Sequence, residues 1–364
     1  MYKVCNNIET EAREMREVFA DTMMELAEND KKVIYLDGDI MNSIKMVPFS
    51  KKFPKQTIDC GIQEANMVGV AAGMSSVGLI PYVHTFAPFI TRRAMDQVFM
   101  SCAYAKLNVR LIGSDPGMTA TSNGGTHFAL EDIGTLRSIP NVTIIDPSDS
   151  TMLKDCLIKT KDLYGVYYMR LSRKKVDKIY EDGSTFEIGK ANLIREGSDI
   201  TIIANGFAVG DAIRVSDDLK KEGISVRVLD MFTIKPIDKE AIIKAAKETK
   251  AIITVENHNI IGGLGSAVSE VLCENCPCIL KRLGAKKAPT YRVIVINSTT
   301  KREGRPIQEL GHYNPKTKEM KLDKAAALEW ITGDDERLFW FGNALFLLVF
   351  VWTFENKLYL CSMF

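Results

Sequence analysis

Three short runs of this sequence combine residue types that could work together as a site. In Asp59-Cys60-Gly61-Ile62-Gln63-Glu64-Ala65-Asn66-Met67, Glu64 opens a helix of small residues that continues as VGVAAGMSSVG. A carboxylate is favoured there by the positive end of the helix dipole. In PYVHTFAPF, a strand ends in a loop whose Phe86 and Phe89 stand three apart, the arrangement expected of a platform for a flat heterocycle. In Asn123-Gly124-Gly125-Thr126-His127, a histidine rides on a glycine-rich loop after a strand. Taken alone, each has an ordinary structural reading. Other chemistries lack support: there is no GxxxxGK[ST], and Gly262-Gly263-Leu264-Gly265 lacks the GxGxxG spacing, which argues against ATP and NAD. Asp37-Gly38-Asp39 lacks the further ligands of a calcium loop, with Met41 and Ser43 in their place. The tight group Cys273, Cys276 and Cys278 has no second CxxC, so no metal site is assigned to this chain.

The elements that must position these residues are those of an α/β protein. The chain has 364 residues, 46% hydrophobic and 26% charged, which leaves room for two or three domains. Up to about residue 178, helix-like stretches alternate with the apolar runs VIYL, IPYV, VRLI, VTII and VYYM, a pattern of parallel strands with crossover helices. Val18, Phe19, Met23 and Leu26 recur at helical spacing, as do Met67, Val70, Ala71 and Met74, and both sets are expected in the core. The alternation restarts with ITIIA, VRVL and AIITV, giving a second, smaller α/β domain. Basic and acidic side chains number 47 and 46, so overall charge offers no attraction for nucleic acid or an anionic membrane. Scattered cysteines and an N-terminus without a signal peptide's apolar core point to a reducing, cytoplasmic location.

In this order, GIQEANMVGVAAGMSS, the NGGTH loop followed by IPNVTIIDPSD, and TVENHNIIGGLGSAV resemble the C-terminal subunit of split bacterial transketolases. The resemblance spans about residues 13–280 and implies two doubly wound domains, a pyrimidine-binding domain at 1–178 and a transketolase C-terminal domain at 179–280. It implies a transferase that moves a two-carbon ketol unit between sugar phosphates in the pentose phosphate pathway, with thiamine diphosphate as cofactor. Glu64 would hydrogen-bond N1′ of the aminopyrimidine and support proton removal from the thiazolium. Such a bond requires a carboxyl group kept in an apolar pocket, where its pKa is raised, so burial of Glu64 is expected. Phe86 would stack on the pyrimidine with Phe89 beside it, worth about 1 kcal/mol beyond area burial. The same resemblance puts Arg92 in the pyrimidine pocket, His127 and Asp115 near the reacting sugar, and Arg16, Ser43 and Arg173 near the sugar phosphate. Three positions depart from the family's pattern: Asp115 stands where many full-length members have histidine, Asn123 where they have aspartate, and Arg92 replaces a tyrosine. Deoxyxylulose phosphate synthase and 2-oxoacid dehydrogenase β-subunits use the same pyrimidine domain and define the related chemistry.

One part is missing. The family holds the diphosphate and its Mg²⁺ with a GDG motif and a later asparagine, and this chain has no such pair. The resemblance therefore implies a separate N-terminal subunit that carries the Mg²⁺, in an α₂β₂ assembly with the cofactor at the interface.

Beyond Leu280 the character changes. Residues 281–325 hold 12 lysines and arginines against 4 aspartates and glutamates, a net +8. KRLGAKKAPTYRV and NSTTKREGRPIQELGHYNPKTKEMKLDKAAALEW resemble small-subunit ribosomal protein sixteen, over residues 281–332. That resemblance implies a small basic α+β segment that binds ribosomal RNA through Lys281, Arg282, Lys286, Lys287, Arg292, Arg302 and Arg305. Residues 333–364 match neither family. Leu338–Phe354 is 17 mostly apolar residues, at the lower limit for a bilayer span. Asn343 and sparse flanking cations argue against membrane insertion. Among a bifunctional fusion, a gene or assembly chimera and a frameshifted tail, a chimera is favoured because both segments are incomplete where they meet.

Overall fold

A computed structural model describes residues 1–120 and 123–285, together with the backbone of five later strands, Tyr291–Val295, Gln308–Asn314, Glu319–Leu322, Phe350–Phe354 and Lys357–Cys361. Lys286, Lys287, Arg302 and Arg305 lie outside the described residues, as does the side chain of Arg292. Residues 1–286 form one unit and residues 287–364 another.

The runs VIYL, IPYV, VRLI, VTII, VYYM, ITIIA, VRVL and AIITV are all strands. The first sheet has the order Thr233–Lys235, Val142–Ile145, Val166–Leu171, Val109–Ser114, Ile80–Phe86, Val33–Asp37, Thr57–Asp59. All its pairings are parallel except that of Thr233–Lys235, a strand lent by the second half of the unit. Val33–Asp37, Val109–Ser114 and Val166–Leu171 are buried along their whole length, as expected of a parallel sheet covered on both faces. Helix Met15–Asn29 covers one face with Phe19, Met23 and Leu26 fully or nearly fully buried. Helix Glu64–Ser76 buries Met67, Val68 and Ala71 in a separate core cluster, which also holds Val83, Leu111 and Ile144. Val18, Val70 and Met74, expected in the core, are only partly buried.

The second sheet runs Ile279–Gly284, Ala251–Glu256, Ile200–Ala204, Val226–Asp230, Asn192–Arg195, parallel except for the last. Lys281 and Arg282 belong to its edge strand. The Arg282 guanidinium donates to the Ile260 carbonyl at 3.0 Å, which ties this edge strand to the Ile260 loop.

In the second unit, Tyr291–Val295, Gln308–Asn314 and Glu319–Leu322 form an antiparallel sheet, and Phe350–Phe354 pairs antiparallel with Lys357–Cys361. Among the described residues no helix is long and apolar enough to cross a membrane.

Candidate active site

Parallel strands all end on one side of their sheet, and α/β proteins bind ligands outside those carboxyl ends. Phe86 ends Ile80–Phe86, Asp115 follows Val109–Ser114, and Arg173 follows Val166–Leu171. Ser43 lies in the turn after Val33–Asp37, and Glu64 opens the helix after Thr57–Asp59. The sheet therefore carries these candidates to one edge.

Glu64 is buried, its side chain 4% exposed, as its proposed chemistry requires. Its Oε1 accepts from Arg93 Nη1 at 2.9 Å, a partner that the motifs alone do not reveal. The Arg93 guanidinium also lies 3.8 Å from the centre of the Phe89 ring. Phe86, Phe89 and His127 form an edge-to-face trio, with centroids 5.9 Å apart for the two phenylalanines and 5.3 and 5.1 Å from each to the histidine. The aromatic pair and the histidine loop thus meet, although 38 residues separate Phe89 from His127 in the chain.

Arg173 stands 4.8 Å over Phe86, and its Nε donates to Asp115 Oδ2 at 2.7 Å. Asp115 is 1% exposed and has φ of 52°, a left-handed backbone held by its carboxylate's second bond, from the Arg173 amide. Arg16 donates to the Ser43 carbonyl at 2.7 Å and to Glu14 at 2.8 Å. The Met15 amide bonds the Lys174 carbonyl at 3.1 Å, which brings Arg16 and Ser43 beside the Arg173 strand end. Arg92 turns elsewhere: it pairs with Glu131 at 3.0 Å and reaches the carbonyls of Thr126 and Phe128 at 3.4 Å. It braces the loop that carries His127.

The second domain grips that loop. Asn257 accepts from the Met118 amide at 3.1 Å and donates to the Pro116 carbonyl at 2.9 Å, while the Asn259 amide bonds the Leu130 carbonyl at 3.0 Å. Between these points Gly117 and Ala129 exchange two backbone bonds of 3.0 Å, closing the loop's base. Gly117 has φ of 62°, and a Cβ there would lie 2.2 Å from Asn257, so glycine is required on both counts. Beneath, Arg170 is fully buried and bridges Asp132 at 2.8 Å, Asp146 at 2.7 Å and the Asn257 carbonyl at 2.9 Å.

The GGLG run also has a structural account. Glu256 accepts from the amides of Leu264 and Gly265 at 2.6 and 2.9 Å, so the helix N-terminus is filled by the chain's own carboxylate. Burial pushes that carboxyl up to about 7. Burial also lowers the His258 pKa; Nδ1 bonds the Asn259 carbonyl at 2.7 Å, and Nε2 accepts from the Gly134 amide at 3.3 Å.

Comparison with known proteins shows the family. The family described as transketolase, pyrimidine binding domain, matches residues 11–178, and transketolase, C-terminal domain, matches 189–297. The 6-deoxy-6-sulfo-D-fructose transketolase subunit of a Clostridium species is 43% identical over 77% of this chain and 87% of its own length. The chain belongs to the transketolase family. An apulose-4-phosphate transketolase subunit of Phocaeicola vulgatus is 40% identical, over 71% of this chain and 84% of its own. A solved structure described as a split gene transketolase, inactive beta4 tetramer, superposes with TM-score 0.71 at 36% identity, over 76% of this chain and 90% of that one. Ribosomal protein S16 matches residues 282–333, overlapping the end of the transketolase match.

Transketolases depend on thiamine diphosphate, which supplies a ring that stabilises a carbanion when bound. The residues present fit its aminopyrimidine end: a buried carboxylate, Glu64, lies beside an aromatic pair, Phe86 and Phe89.

Proposed function

We propose that residues 1–280 are the C-terminal half of a split transketolase, moving a two-carbon ketol unit between sugars that end in an anionic group. The observation that carries this reading is the gathering of Glu64, Phe86, Phe89 and His127 with Arg173 and Asp115 at one sheet edge. In this reading Glu64 holds the proton-bearing bond to the pyrimidine, Phe86 and Phe89 orient the ring, and His127 and Asp115 face the sugar hydroxyls. Arg173, Arg16 and the Ser43 turn face the anionic terminus, for which the guanidinium fork is suited.

The terminus is a phosphate, as in the general family, or a sulfonate, as the name of the Clostridium relative suggests. Residues 1–178 and 179–280 serve as the two working domains. The diphosphate and Mg²⁺ fall to an N-terminal partner subunit in an α₂β₂ enzyme. An exposed apolar row supports a partner on this side: Ile62 is 69% exposed two residues before Glu64, and Met95, Phe99, Met100 and Tyr104 follow Arg93. We place the enzyme in the cytoplasm.

Co-expression with an N-terminal transketolase subunit, followed by product analysis, tests this reading. Two-carbon transfer from a ketose phosphate or 6-deoxy-6-sulfo-D-fructose is expected. An assembled complex with neither activity contradicts it.

A second reading applies to residues 281–332 alone, favoured by their basic charge, +8 over residues 281–325, and by their match to a ribosomal protein family. RNA contact there would weaken steeply with added salt. Binding of small-subunit RNA by the full chain, compared with a chain ending at residue 286, tests it. Equal binding by the two contradicts it.

A further inference from the structure

Directly behind the site residues lies a buried polar cluster that the proposed chemistry does not use. Asp37, His84 and Ser114 sit on three adjacent parallel strands, and each is 0% exposed. His84 Nδ1 is 2.9 Å from Asp37 Oδ2, and His84 Nε2 is 3.0 Å from Ser114 Oγ. Tyr35, also fully buried, donates its hydroxyl to the same Asp37 oxygen and stacks on the imidazole at 6.3 Å.

The order of groups is that of a Ser-His-Asp triad, but the serine oxygen is sealed from any substrate, so nucleophilic catalysis is excluded. Proton placement follows from the acceptor. The Asp37 carboxylate has only lone pairs to offer, so Nδ1 carries the hydrogen and Nε2 accepts from the Ser114 hydroxyl. Every group in the chain of bonds then has a partner.

Each end of this chain continues into the site. Asp37 Oδ1 accepts from the Ile40 amide at 2.6 Å, and the Ile40 carbonyl accepts from the Ser43 amide at 2.9 Å and the Ser43 hydroxyl at 2.8 Å. Ser114 immediately precedes Asp115, whose left-handed backbone aims the carboxylate at Arg173. His84 itself is two residues before Phe86 on the same strand. A single imidazole thus ties together the strand ends that carry Ser43, Phe86 and Asp115.

We propose that His84 is a positioning residue, bonded to Asp37 and Ser114, that sets the relative placement of the Ser43 turn and Asp115 on the substrate side of the site. The proposal rests on the transketolase reading for its kinetic consequence but not for its structural one.

The test compares Ser114→Thr with Ser114→Val in the co-expressed complex. Threonine and valine have the same shape, so packing strain is common to both and only the hydroxyl differs. Ser114→Val should raise KM for the donor sugar by about five-fold or more relative to Ser114→Thr, with kcat changing by less than about two-fold. Hydrogen exchange of backbone amides in residues 38–46 and 113–119 should be faster in Ser114→Val than in Ser114→Thr. Equal KM values or equal exchange in the two variants would overturn the proposal. Were the wild-type complex inactive while the exchange contrast persisted, the reaction assignment would fail and the positioning network would stand.

Discussion

Arg93 occupies Glu64: its Nη1 lies 2.9 Å from Oε1 of the buried carboxylate, while the same guanidinium covers the Phe89 ring at 3.8 Å. A flat cation hydrogen-bonded to Glu64 and stacked on Phe89 imitates the contacts that the proposed function assigns to the aminopyrimidine. The arginine side chain is 49% exposed and can leave. The cation–π contact of this half-exposed guanidinium with Phe89 is worth about 1 kcal/mol. Arg93→Ala should therefore tighten thiamine diphosphate binding to the assembled enzyme by about five-fold, measured by calorimetry. Weaker binding would show instead that Arg93 contributes to holding the cofactor.

Charge at the sugar's far end gives a second expectation. Arg173 is paired with Asp115, and Arg16 with Glu14, so neither guanidinium offers its full charge to a ligand. A phosphate monoester is close to doubly charged at neutral pH, whereas a sulfonate carries one charge. Asp115→Asn should raise kcat/KM for a phosphate-terminated donor relative to a sulfonate-terminated one by several-fold. Competition between the two donors measures this, and an unchanged ratio would contradict it.

Much of the scaffold was legible because a covered parallel sheet needs continuous apolar strands, and VIYL, VRLI and VTII declare themselves that way. Glu64, Phe86, Phe89 and His127 were legible through motif order. Arg93 was not, since its importance depends on a turn that brings it back over Phe89 and Glu64. Asn257 was hidden for a similar reason: it acts on Pro116 and Met118, 141 and 139 residues earlier in the chain. The bonds of Arg92 to the His127 loop were hidden as well, because position in a motif does not fix which way a long side chain turns. Asp37 drew notice only as part of a rejected calcium loop and His84 only as part of a strand, and the register that sets them opposite each other reveals their pairing.

Stability should depend on pH through the domain junction. Burial pushes Asp230 up to about 7, against the bonds from Ser148 and Tyr180 that favour its charged form. An unfolded aspartate titrates near ~3.9. The folded protein therefore keeps a proton that the unfolded chain releases across this interval. The resulting stabilisation is complete below about 4 and is lost as pH rises through about 7. Asp230→Asn, which retains an oxygen for both hydroxyls, should flatten the melting temperature between these limits. An unaltered slope would contradict the assignment.

Gly117→Ala should be costly. A left-handed backbone and a clash with Asn257 act together, so a loss of about 1–3 kcal/mol is expected from denaturant unfolding, with reduced transfer activity. A wild-type stability would mean that the two domains are less tightly joined at this loop than their hydrogen bonds indicate.

In the proposed function Glu64 takes part in the chemistry rather than merely opening a helix. Two-carbon transfer by Glu64→Ala, co-expressed with an N-terminal subunit, is the most direct measurement. The predicted result is a complex that assembles and melts like the wild type yet loses activity by at least about a hundred-fold. Full transfer activity in that complex would contradict it.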